Sequence, residues 1–303
     1  MVKKSIIFIL IFISLLSASL VSATPHSEAD RFFFEGKTLY KEQKYKEAII
    51  KFSHAIELEK KLGPSRKGDL AYTYAWLGLA YKNSRDYKKA LDYFNKALII
   101  DKELGRRGDM AINLNNIGFV YNACGQYTHA VKYYLGALSI DIELGTKANI
   151  ATDLNRIGFT YKEWGHYDKA IEYFKKALAL AEHLNQKDKI GSALNNIGAV
   201  YKDWKKYSKA VDYFKKALKI DKEANNEAYM AMDYNNIGMA YGTGGHYRQA
   251  IEYCKKALEI ATTLKQKNAI VMYLENISSL YSASGQRLMA QNYYQKAQSY
   301  KLK

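Results

Sequence analysis

The residues that could do chemistry in this chain are two cysteines, six histidines and one glycine-rich stretch. Cys124 and Cys254 are too few for a disulfide framework or a four-ligand zinc site. Gly242-Thr-Gly-Gly245 has the composition of a phosphate-binding loop but lacks its Gly-Lys-Ser/Thr ending. The histidines are scattered along the chain at His26, His54, His129, His166, His183 and His246. Because no Ser/His/Asp set or pair of catalytic carboxylates is recognisable either, we expect no enzyme, no metal site and no cofactor.

A more regular signal comes from four asparagines placed forty residues apart, here called the asparagine row. They are Asn115, Asn155, Asn195 and Asn235. A primary amide both donates and accepts hydrogen bonds, so such a row could hold the N–H and C=O groups of an extended peptide. Alternatively, the same amides could bond to neighbouring parts of this chain and stabilise its stacking. Both interpretations depend on the elements that position the row.

A forty-residue repeat organises most of the chain. Glycines recur at Gly78, Gly118, Gly158, Gly198 and Gly238, and Ser278 takes the same place in a further copy. A more divergent copy contains Gly36, which makes about seven copies in all. Apolar residues around each glycine recur at helical spacing, and a turn separates them from a second helical segment. Because no such helix pair can bury its apolar face alone, neighbouring pairs are expected to stack.

The repeat resembles the tetratricopeptide repeat family, in a longer form similar to kinesin light chains and Pins-type adaptors. The resemblance rests on recurring Leu/Ile-Gly, Tyr and Ala residues, as in Asn196-Ile-Gly-Ala-Val-Tyr201 followed by Ala210 and Ala217. It implies an all-α fold, a right-handed α-α superhelical solenoid of about seven helix-turn-helix repeats. We place these at residues 28–63, 71–106, 111–146, 151–186, 191–226, 231–266 and 271–303.

The resemblance also implies that a partner binds in a concave groove lined by the first helix of each repeat. With the glycine as position 8, positions 2, 5, 9 and 12 share the groove side of that helix. In similar light-chain and adaptor proteins, groove asparagines hold ligand main chains. The predicted groove residues are Asn115, Asn155, Asn195, Asn235, Asn122, Lys162, Lys202, Phe119, Phe159 and Met239. The position-6 asparagines are expected to point toward the adjacent repeat instead: Asn116, Asn196, Asn236 and Asn276.

The charge of the chain is strongly positive, with 46 Lys and Arg against 30 Asp and Glu and a formal net charge of +16. Nucleic acid, an anionic membrane surface and acidic proteins are therefore all candidate partners. Many lysines follow an acid by four residues, as in Glu172–Lys176 and Glu252–Lys256, which is typical of a solvated helix face. A local excess remains in residues 202–222, where eight Lys accompany three Asp.

The N-terminal residues 1–23 are typical of a secretory signal peptide. Lys3 and Lys4 precede an apolar stretch over residues 6–16, and the residues up to Ala23 suit cleavage after that position. We therefore expect a secreted or periplasmic protein whose residues 24–303 form the solenoid. The alternative is an uncleaved N-terminal membrane anchor, since residues 6–23 border on membrane-spanning length.

These patterns together predict an exported scaffold or adaptor that binds a peptide or a helix in its groove. The alternatives are an electrostatic binder of an anionic surface and a peptide-sensing signalling module. The expected partner is a protein or peptide. Export argues against nucleic acid, and contact with a membrane is expected only through an uncleaved N-terminus or the basic excess in residues 202–222.

Overall fold

The computed structural model describes residues 25–302, which form fourteen α-helices and one short 3-10 helix. The predicted signal peptide lies outside the described residues. In the part of the chain that the structure covers, no helix combines the length and apolar character needed to span a membrane. The chain divides into two compact units, one ending at Ile140 and the other beginning at Asp141.

The first unit holds α1 to α5 and most of α6. The bounds are α1 Pro25–Lys41, α2 Tyr45–Leu62, α3 Lys67–Asn83, α4 Tyr87–Glu103, α5 Arg107–Ala123 and α6 Tyr127–Glu143, with the 3-10 helix Gly63–Arg66 after α2. From α1 to α5, each helix packs on the next along the chain, as α3 does on α4.

The second unit holds the end of α6 and eight further helices. They are α7 Lys147–Glu163, α8 Tyr167–His183, α9 Lys187–Asp203, α10 Tyr207–Glu223, α11 Glu227–Thr243, α12 Tyr247–Thr263, α13 Lys267–Ala283 and α14 Arg287–Leu302. From α7 to α14, each helix likewise packs on the next along the chain. The described residues contain no β-strand, and the predicted all-α repeat solenoid is confirmed.

The recurring glycine is the point where the two helices of a pair approach most closely. A Cβ atom added at Gly198 would lie 2.7 Å from the ring of Phe214, and one at Gly158 would lie 2.8 Å from that of Phe174. Both rings are fully buried. Each ring thus occupies the space that a side chain on the first helix would need, and burial of such a ring contributes about 1.5–3 kcal/mol.

Replacing Gly198 by Ala should lower the free energy of unfolding by about 1–3 kcal/mol, because the new methyl group overlaps the Phe214 ring. Urea denaturation followed by circular dichroism measures the change. Adding Phe214→Leu should remove part of the overlap. The free energy of unfolding of the double variant should therefore fall by less than the sum of the decreases in the two single variants. Equal stability of Gly198→Ala and the unmodified chain would contradict the close approach.

Candidate functional site

The asparagine row of the second unit takes part in hydrogen bonds between successive repeats. In each bond, the position-6 asparagine of one repeat donates to the position-5 asparagine of the repeat before it. The bonds run from Asn196 Nδ2 to Asn155 Oδ1 at 3.3 Å, from Asn236 Nδ2 to Asn195 Oδ1 at 3.3 Å, and from Asn276 Nδ2 to Asn235 Oδ1 at 2.8 Å. The position-6 side chains therefore point toward the adjacent repeat, as expected from the sequence.

The same amides make further bonds inside the unit. Asn195 is only 8% exposed, and its Nδ2 also donates to Asp233 Oδ1 at 2.5 Å. Asn155 Nδ2 donates to the backbone oxygen of Ala151 at 2.9 Å. Stacking thus occupies much of the hydrogen-bonding capacity that the sequence assigns to a ligand, and contact of these amides with a ligand stays a prediction.

Among Asn155, Asn195 and Asn235, the last keeps the most hydrogen-bonding capacity. Its Oδ1 accepts from Asn276 and from the Cys254 thiol, whose Sγ lies 3.8 Å away. Among residues 25–302, its Nδ2 donates to no group within hydrogen-bonding distance. Burial raises the pKa of Cys254 to about 12, so this thiol stays protonated and serves as a donor.

The other predicted groove residues of the second unit lie on the same side of α7, α9 and α11 as the row, a surface here called the first-helix face. Phe159 is 43% exposed, whereas Met239 and Lys202 are half-buried. Lys162 is paired with Asp203, with Nζ and Oδ2 3.2 Å apart. The face therefore offers one exposed ring beside a set of amides that stacking holds in place.

The remaining predicted groove residues belong to α5 of the first unit. Phe119 is 47% exposed there, and Lys82 Nζ lies 4.8 Å from the centroid of its ring. Asn115 and Asn122 are half-buried on the same helix. A lysine over an exposed ring combines charge and apolar surface at one point of this helix.

Buried carboxyl groups between repeats are the functional feature that sequence reasoning missed. Near the end of a second helix, Asp101 accepts from Asn113 Nδ2 of the next repeat at 2.8 Å. The equivalent positions two and three repeats along hold Ala181 with Ala193 and Asp221 with Asp233, all of them buried. The sequence does carry a signal for these contacts. The two positions change together from repeat to repeat: where one is polar the other is polar, and where one is Ala the other is Ala.

The Asp221–Asp233 pair joins α10 to α11 beneath Asn195. Burial, together with a hydrogen bond and repulsion from Asp221, raises the pKa of Asp233 to about 8, although the bond from Asn195 acts in the opposite direction. Burial also raises the pKa of Asp221. At neutral pH the pair therefore retains a proton that links the two helices.

Two carboxyl groups in the first unit behave alike. Burial raises the pKa of Glu59 to about 7, even though Thr73 Oγ1 donates to it at 2.9 Å, and burial raises that of Asp101 to about 6. Within the described residues, His, Cys, Asp and Glu side chains form no group of three or more that could hold a metal ion.

Comparison with protein families finds matches to tetratricopeptide repeat models over most of the chain. One model matches residues 109–183, 171–223 and 229–301, and a second matches residues 71–104. Among curated proteins, none matches the chain significantly.

Several solved structures have a similar fold. The apo form of RapI is 20% identical with a TM-score of 0.60, and the match covers 90% of this chain and 97% of that one. A Rap protein complexed with competence and sporulation factor is 18% identical with a TM-score of 0.54, covering 94% and 77%. The kinesin light chain TPR-like repeats from Podosopora anserina are 16% identical with a TM-score of 0.51, covering 62% and 93%. At these identities the likeness concerns the fold.

The raised pKa of Asp233 predicts that the folded state loses stability as pH rises. Between about pH 4 and pH 8 the folded chain binds a proton at this carboxyl that the unfolded chain has released, so unfolding becomes easier across that window. Asp233→Asn keeps an acceptor for Asn195 and a donor for Asp221 but cannot ionise. The free energy of unfolding of Asp233→Asn, relative to that of the unmodified chain, should therefore increase by about 1 kcal/mol or more from pH 5 to pH 8. Urea denaturation at the two pH values measures this difference.

The exposed Asp212 on α10 provides the matched control, and Asp212→Asn should leave the slope of stability against pH unchanged. Identical slopes for Asp233→Asn and the unmodified chain would show that Asp233 is ionised in the folded state at neutral pH.

Proposed function

The chain belongs to the tetratricopeptide repeat family, and from that premise we propose that it is a protein-interaction scaffold. In this proposal the first-helix face of the second unit binds an extended peptide segment of a partner protein. The carrying observation is the exposed ring of Phe159 next to amides that the stacking bonds hold in fixed positions.

Phe159 is suited to anchor an apolar side chain of the partner. Its ring packs edge-on against the buried Phe174, with centroids 5.1 Å apart, and still leaves 43% of the residue exposed. Lys162 Nζ lies 6.0 Å from its centroid. Rigid aromatic rings at the centre of an interface often contribute most of the binding energy, since little side-chain entropy is lost.

Asn235 supplies the polar component of the proposed contact. Like Asn195, the residue is buried, with only 7% of it exposed, but its Nδ2 has no partner among residues 25–302. In this proposal that Nδ2 donates to a peptide carbonyl, while Oδ1 stays bonded to Asn276 at 2.8 Å. Lys202, half-buried on α9, adds a positive charge that favours a segment containing acidic residues. The proposed scaffold binds without catalysing a reaction, and its partner is a protein or peptide rather than nucleic acid.

The second candidate is a peptide-sensing module. It is favoured by the likeness to the Rap protein complexed with competence and sporulation factor, which extends over 94% of this chain. Both candidates use the same kind of ligand, and they differ in whether binding changes the affinity for another protein. The basic and apolar N-terminal residues further lead us to propose export, so that the partner is met outside the cytoplasm.

Selection of a random displayed peptide library on the immobilised full chain tests the proposal. Enriched peptides should share an apolar residue, and Phe159→Asp should weaken their binding at least about tenfold, since a charge would have to be desolvated. Phe159→Ala gives a milder loss with less risk to folding, and Lys176→Ala on an exposed helix face is the control. A library that yields no enriched peptide, or peptides that bind all variants equally, would refute the proposed face.

A further inference from the structure

A basic cavity lies at the turn between α9 and α10, away from the first-helix face. Its volume is about 330 Å³, and α11 with the turn after it forms the far wall. Among the described residues that line it, none is acidic. The polar and aromatic wall consists of Lys205, Lys206, Lys209, Ser208, Tyr207, Tyr241 and His246.

Within the described residues, Lys205, Lys206 and Lys209 form no ion pair with an acid of the chain. Asp203, which precedes them, is paired with Lys162 on the neighbouring repeat, and Asp212, three residues after Lys209, is exposed on α10. Lys206 Nζ lies over the Trp204 ring, and Lys209 Nζ lies 5.6 Å from the centroid of Tyr201. Contacts with ring faces leave ammonium N–H groups available for an anionic partner.

Lys205 occupies a backbone position that suits glycine better. The equivalent turn residues of the second unit are Gly165, Gly245 and Gly285, with φ between 80° and 85°, whereas Lys205 has φ 59°. A side chain in this left-handed region costs about 1–2 kcal/mol. This turn therefore has a lysine where the equivalent turns of the second unit have glycine. The unfavourable backbone conformation of Lys205 lies next to the cavity.

Similar cavities flank this one at the turns of the adjacent repeats. The preceding one, of about 300 Å³, is lined by Asp168 and Lys169 together with Tyr167 and Trp204. The following one, of about 900 Å³, contains Glu252 as well as Arg248 and Lys255. The positive charge is therefore concentrated in the central cavity, while the aromatic walls continue through all three, which suits a chain of several residues better than one small anion or a flat bilayer.

We propose that this row of turn cavities, here called the turn edge, binds an acidic segment of a protein partner. Carboxylates of the segment contact Lys205, Lys206 and Lys209, and its apolar parts lie against the tyrosine rings. The inference rests on the proposed scaffold function only in taking the partner to be a protein, since it uses a surface separate from Phe159.

The test uses a fluorescent synthetic peptide of repeated Glu-Glu-Tyr triplets and the full chain, with anisotropy as the readout. The triple variant Lys205→Gly, Lys206→Gln, Lys209→Gln should weaken binding about tenfold, which corresponds to about 1.4 kcal/mol. Lys205→Gly also relieves the turn, so loss of folding should not obscure the result. The control triple Lys187→Gln, Lys189→Gln, Lys265→Gln removes the same charge from the first turn of α9 and the turn after α12, and should change affinity less than about twofold.

Replacing every Glu of the peptide by Gln should abolish binding. Equal losses in the two triple variants would overturn the proposal, because net charge alone would then explain the affinity. Displacement by inorganic phosphate as strong as that by the peptide, or binding to phosphatidylserine vesicles alone, would also overturn it. If the acidic peptide does not bind, while binding of the library peptides still depends on Phe159, the proposal for the turn edge is refuted and the proposed scaffold function is retained.

Discussion

Each helix pair of the described residues has an apolar face that is buried only when an adjacent pair packs against it. The rest of the structure depends on this burial. Gly198 and its equivalents bring the two helices of a pair close together, and rings such as Phe214 fill the space beside them. Within each unit, the second helix of a pair then packs on the first helix of the following repeat. A side chain at this junction serves the stacking first, and any role in binding has to be compatible with it.

The junctions of the second unit are partly polar, and this restricts where a partner can bind. Asn195 links Asn236 and Asp233, and burial beside Asp221 raises the pKa of Asp233. Such a network is favourable only when its members are satisfied, because an unpaired buried polar group is costly. The amides of Asn155 and Asn195 consequently act as fixed supports, whereas the binding surfaces that we propose are the exposed Phe159 with Asn235 and the turn edge.

The repeat and its helix pairs could be predicted from the sequence because glycine, alanine and aromatic positions follow a strict period. The role of the asparagine row could not, since Asn195 bonds to Asn236, forty-one residues away, and its spacing equally fits a ligand or a junction. The proton shared by Asp221 and Asp233 depends on burial, which a list of charged residues does not reveal. The left-handed backbone at Lys205, a conformation that Arg85 shares at the equivalent turn of an earlier repeat, is established by its φ angle of 59°.

The central claim is that the asparagine row belongs to the junctions between repeats. A double-mutant cycle on Asn195→Ala and Asn236→Ala, with the free energy of unfolding measured in urea, tests it most directly. Because the two amides share a hydrogen bond at 3.3 Å, we predict a coupling energy of about 0.5–1 kcal/mol. If the decreases in the free energy of unfolding of the two single variants simply add in the double variant, the claim is contradicted and the ligand-binding interpretation of the row is favoured.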